Sequence, residues 1–108
     1  MGKIRYSWWA YVKAMIRQYK ERAKRYPELK RVEMREFEAV TEAIMRTEQL
    51  PDGAWRLKLI DKLYWQRNRK NVDGAAMDLF ISRRTALRWS AEFTYLVAEA
   101  FGLYDPGE

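Results

Sequence analysis

Residues 71–89 read "NVDGAAMDLFISRRTALRW", and the fold turns on how that stretch is parsed. Asn71 is a suitable N-cap, and residues 72–80 have the length of a short helix. Ala75 and Ala76 are small where two crossing helices would approach closely. Leu79 and Ile81 are apolar on either side of a break and would anchor it to a core. Ser82 is a second N-cap, opening a helix from Arg83 to Phe101 with Gly102 as its C′ residue. A capped short helix, a tight turn and a second capped helix make the spacing of a helix-turn-helix. In that motif the second helix leads into the DNA major groove with its N-terminal residues.

Working outward, proline and glycine divide the chain into further helices, and no stretch alternates with a period of two for long enough to be a strand. A first helix is expected from about Ser7 to Arg25, with Trp8, Val12, Met15, Tyr19 and Ala23 on one face. A second is expected from about Pro27 to Glu48, with Leu29, Val32, Phe37, Val40 and Ile44 as its buried stripe and Glu42–Arg46 as an i,i+4 pair. A third runs from about Asp52 to Asn68 and carries Trp55, Leu59, Ile60, Leu63 and Tyr64. The expected fold is therefore all-α. Its five helices comprise an N-terminal hairpin (1–50), used for packing or for oligomerisation, and a helix-turn-helix region (51–108). The closing "YDPGE" is expected to fray.

The arginines after Ser82 raise a question of electrostatics. A helix N-terminus is already partly positive, so Arg83 and Arg84 cost helix stability, by a few tenths of a kcal/mol up to about 1 kcal/mol each. Duplex DNA can offset that cost. The helix end favours phosphate, and a guanidinium adds a fork that fits phosphate or guanine O6/N7. One turn on lies Arg88. Thr85 can bond a phosphate or touch a thymine methyl. Upstream, "QRNRKN" offers Arg67, Arg69 and Lys70 for backbone contacts that set register. The candidate DNA-binding residues are thus Ser82, Arg83, Arg84, Thr85 and Arg88, with Arg67, Arg69 and Lys70 behind them.

Composition agrees with a polyanionic partner. Formal charge is +6, gathered in blocks: net +7 over 1–25, −3 over 26–55, +6 over 56–88 and −4 over 89–108. Cys and His are absent, which removes disulfides, zinc-finger ligands, thiol nucleophiles and histidine acid–base chemistry. No apolar run approaches the roughly 20 residues a bilayer span requires, and "MGKIRYSWWAYVK" does not read as a secretory signal. No cofactor is expected. Glu33, Glu36, Glu38 and Glu42 alternate with Arg31, Arg35 and Arg46, the pattern of an ion-paired surface rather than a metal site. The run "KERAKRY" at 20–26 reads as a solvated helix end, and Trp89 is expected to pack where the fifth helix crosses the third or fourth. Of Trp8 and Trp9, one is expected buried and the other partly exposed.

The motif resembles the helix-turn-helix of sigma-factor region 4 in Ala76, Leu79, Ile81–Ser82 and Thr85. One departure stands out: Phe80 stands where that turn commonly carries glycine. More closely, "AAMDLFISRRTALRWSAEF" resembles the C-terminal part of the ArpU/RinA group of phage and prophage transcriptional regulators. The aromatic-rich "YSWWAYVKAMIRQY", "YPELKR" and "LIDKLYW" fit that group in character. The resemblance implies a non-enzymatic regulator of phage late genes, acting on promoter double-stranded DNA in the cytoplasm of a bacterial host. It places Arg83, Arg84, Thr85 and Arg88 on the recognition helix. RNA polymerase, or a second copy in a homo-oligomer, is a further partner for the hairpin. No membrane partner is expected. The alternatives are a DNA-packaging protein of the small-terminase type and an RNA-polymerase-binding adaptor.

Overall fold

A computed structural model describes residues 6–104, so part of the closing segment expected to fray lies outside the described residues. Five α-helices follow in order: α1 (Trp9–Arg25), α2 (Arg31–Glu48), α3 (Gly53–Ile60), α4 (Val72–Leu79) and α5 (Arg83–Phe101). A π-helical turn, Asp61–Trp65, extends α3 without a break. There is no strand among the described residues, and none of their helices is long and apolar enough to cross a membrane.

The fifth helix joins two cores. Its C-terminal half sends Phe93, Val97 and Ala98 into a main cluster with Val12, Met15 and Ile16 of α1, Ala39, Val40 and Ala43 of α2, and Ile60 and Tyr64. Its N-terminal half sends Ala86 and Trp89 into a smaller cluster with Leu59 of α3 and Ala75, Ala76 and Leu79 of α4. Trp89 thus meets both helices named for it, and Leu63 packs against both clusters. Val12, Met15 and Ile16 of α1 and Ala39, Val40 and Ala43 of α2 are thus buried within the same chain that carries the short α4–α5 unit.

Several helix limits differ from the sequence reading. The second helix begins at Arg31, not Pro27, because the Glu33 side chain accepts the Lys30 N–H at 3.1 Å and so sets the first turn there. Val32, placed in the buried stripe, is exposed, and Ala23 of the expected α1 face is exposed as well. The first helix begins at Trp9, with Trp9 N–H donating to the Tyr6 carbonyl at 3.0 Å. Trp8 and Trp9 are both half-buried: the Trp8 ring stacks on Trp9 and on Tyr6, and both indoles meet Tyr95 edge to face.

The start of α3 depends on its glycine. A Cβ on Gly53 would lie 2.5 Å from the Thr47 carbonyl oxygen and 2.9 Å from that of Glu48, so only glycine lets the two helices close up here. The third helix ends at Trp65 rather than Asn68, in its wider π turn. There Tyr64 is buried, and the Trp65 indole N–H reaches the Ile16 carbonyl at 2.7 Å.

Arg22, assigned to a solvated helix end, is largely buried. Its guanidinium pairs with Glu36, which also accepts the Tyr11 hydroxyl. Glu33 is held by Arg25 at 3.3 Å and Glu42 lies 4.0 Å from Arg46, so these carboxylates are engaged in ion pairs.

Candidate nucleic-acid interface

Two local closures build the turn between α4 and α5. Asn71 Oδ1 accepts the Gly74 N–H at 2.8 Å, and Ser82 Oγ accepts the Thr85 N–H at 3.0 Å, so both helices start on side-chain caps. Between them Phe80 adopts the left-handed conformation, φ 59° and ψ 40°. Its N–H reaches the Met77 carbonyl at 3.2 Å, and Ile81 N–H reaches that of Ala76 at 3.1 Å. This is a Schellman closure with Ile81 folded onto the small cluster. Phenylalanine therefore takes the conformation that glycine adopts at no steric cost, and its ring is 91% exposed. The turn closes in the left-handed region on a residue that carries a Cβ, and the chain bears the strain.

The Trp55 indole N–H secures the same corner from α3 by donating to the Leu79 carbonyl at 3.0 Å. That oxygen lies at the end of α4, among the carbonyls no intrahelical donor can reach. Below the motif, Arg56 donates to the Pro51 carbonyl at 2.9 Å and pairs with Glu92. Its guanidinium lies 5.3 Å from the centre of the Trp89 ring. These contacts fix how far α5 projects from α3.

Helical geometry then decides what α5 shows to solvent. At about 100° per residue, Ala86, Trp89 and Phe93 share one side. Arg84, Leu87, Arg88 and Ala91 occupy an arc of about 100° on the other. Arg84, Leu87 and Arg88 are exposed. Arg84 has no ion pair among the described residues, and Arg88 has Glu92 only at 3.9 Å. Arg83 lies to one side, where its Nε donates to Asp73 on the first turn of α4 at 2.7 Å. Thr85 lies to the other side, half-buried, and its hydroxyl accepts from Ser82 at 3.0 Å. Ser82 is occupied by that cap.

The upstream loop is tied to α4 rather than to α5. Lys70 Nζ lies 3.0 Å from Asp78, which also takes Lys62 at 3.4 Å. The hydrogen bond from Lys70 is the main reason the Asp78 carboxyl sits below its ordinary range. Arg67 and Arg69 are exposed, with no ion pair among the described residues. The Lys70 and Arg83 pairs are themselves exposed, where water and salt screen them, so phosphate can displace them.

Sequence reading left Leu87, Lys62, Asp73, Asp78 and Trp55 out of this region. The signal for Leu87 was present: once Ala86, Trp89 and Phe93 are core, position 87 must face outward. The carboxylate partners leave no such mark, because they depend on how α4 lies across its neighbours. Comparison with family models, with curated proteins and with solved structures finds no match for this chain.

Proposed function

We propose that this chain is a DNA-binding transcriptional regulator, placing the first turns of α5 in the major groove of promoter DNA. The observation that carries the reading is the outward arc of Arg84, Leu87 and Arg88, set opposite the core on a helix capped by Ser82. Arg84 has no ion pair among the described residues and Arg88 only a loose one to Glu92, and phosphates or guanine edges supply what the macrodipole denies. Lys70 and Arg83, loosely paired on the surface, exchange Asp78 and Asp73 for phosphates and release counterions from the duplex. Arg67 and Arg69 add backbone contacts that set register. The resemblance to ArpU/RinA regulators supports phage or prophage promoters as the target.

Selection of duplexes from a random pool at moderate salt tests the reading. One motif should be enriched, with affinity falling steeply as salt rises. Arg84→Ala should weaken the enriched duplex by about 1–3 kcal/mol if the guanidinium reads a base. Unchanged binding in both Arg84→Ala and Arg88→Ala rejects this interface. Failure to shift any duplex at low salt favours the adaptor alternative. A large ring in light scattering favours the packaging alternative.

A further inference from the structure

We infer that Leu87 reads the C5-methyl group of a thymine, an inference that rests on the DNA-reading edge proposed above. Leu87 is 42% exposed and belongs to neither apolar cluster. On the outer arc it stands at one edge, with Ala91 and then Arg84 beside it and Arg88 about 100° away at the other edge. Ala91 is too small to hold α5 away from a facing surface. A leucine set among arginines opposite the core gives up the burial that its side chain would otherwise gain.

The charge around it selects the occupant. Arg84, with no ion pair among the described residues, and the loosely held Arg88 favour a polyanionic surface over an apolar protein face. That polyanion must also offer something apolar beside the contact that Arg84 makes. Base edges in the major groove present hydrogen-bond donors and acceptors and one apolar group, the methyl of thymine. An Arg84 guanidinium that engages phosphate or guanine would bring the neighbouring Leu87 methyls against the base edges, where that group lies. The edge then recognises a thymine beside the positions its arginines contact.

Deoxyuridine tests this directly, because it keeps the pairing and hydrogen-bonding pattern of thymidine and lacks only the methyl. Each thymine of the enriched duplex is replaced singly by deoxyuridine, and binding of the full chain is measured. One replacement should weaken the wild-type complex about three- to fivefold, the value of one buried methyl-sized group. Leu87→Ala should bind the thymine duplex more weakly by a similar factor and lose its sensitivity at that position alone, while Leu87→Met should retain it. Circular dichroism should show all three chains equally helical. An enriched duplex insensitive to every replacement overturns the role of Leu87 and leaves the DNA-binding reading standing. Undiminished sensitivity in Leu87→Ala does the same. Absence of any enriched duplex sinks both.

Discussion

The two ends of the motif-bearing chain treat arginine in opposite ways. In the α1–α2 hairpin, Arg22 keeps only 11% of its side chain exposed and shares the buried carboxylate of Glu36 with the Tyr11 hydroxyl. At the start of α5, Arg84 is exposed and unpaired among the described residues, and Arg83 is held by a single exposed aspartate. A count of basic residues treats these sites alike. The structure separates charge used inside the fold from charge left over for another molecule. Only the second kind contributes to a field that reaches a partner.

That contrast is sharpest in Glu36→Ala. It leaves Arg22 buried without a counter-charge, which should cost about 3–5 kcal/mol of stability in urea unfolding. A loss below about 1 kcal/mol would mean that Arg22 escapes to solvent and that the two regions do not differ as described. Next in size is the reverse pattern. Arg84→Ala should leave stability unchanged or slightly improved, by up to about 1 kcal/mol, because a cation is removed from the positive end of α5. Its loss should fall on DNA binding instead. A variant that unfolds more easily places Arg84 in the fold's own electrostatics.

A smaller effect compares two helix ends. The fifth helix closes on Gly102 with φ 93°, and α4 closes on Phe80 with φ 59°. The geometry is the same class, but only glycine adopts it without steric cost. Phe80→Gly should therefore stabilise the chain by about 0.5–1 kcal/mol, the relief of strain less the extra backbone entropy of glycine. The reading of strain fails if the thermal midpoint falls.

What the sequence reveals of this comparison follows from the range of each interaction. Caps act over three residues, so Asn71 and Ser82 announce α4 and α5 directly. The small residues Ala75 and Ala76 and the apolar Leu79 mark the crossing. The all-α reading and the place of Trp89 come from the same local periodicity. The start of α2 was harder to see, because Lys30 cannot cap with its side chain and the signal lay in Glu33 reaching back. The Arg22–Glu36 pair joins residues on different helices and leaves no periodic trace. For the same reason, the exposed Arg84 and the tethered Arg83 look alike in sequence, although Asp73 separates them in space.

The smallest expected effect lies at alkaline pH, where the hairpin alone should respond. Burial, followed by the hydrogen bond to Glu36, raises the Tyr11 hydroxyl above its ordinary value of 10.0. The neutral phenol is thus favoured in the folded chain. Its contribution is complete below pH 10.0 and is lost as pH rises through the higher folded value. Acid titration has the opposite sign: the Arg25 hydrogen bond holds Glu33 below its ordinary 4.5, so its contribution is lost as pH falls through the lowered value. Tyr11→Phe keeps the ring and removes the titrating proton. Urea midpoints measured on either side of pH 10 should fall more steeply for the wild-type chain than for Tyr11→Phe, and the two should share one acid limb. Parallel alkaline limbs would show that Glu36 draws its stability from Arg22 alone, which narrows the buried network of the hairpin to a single ion pair.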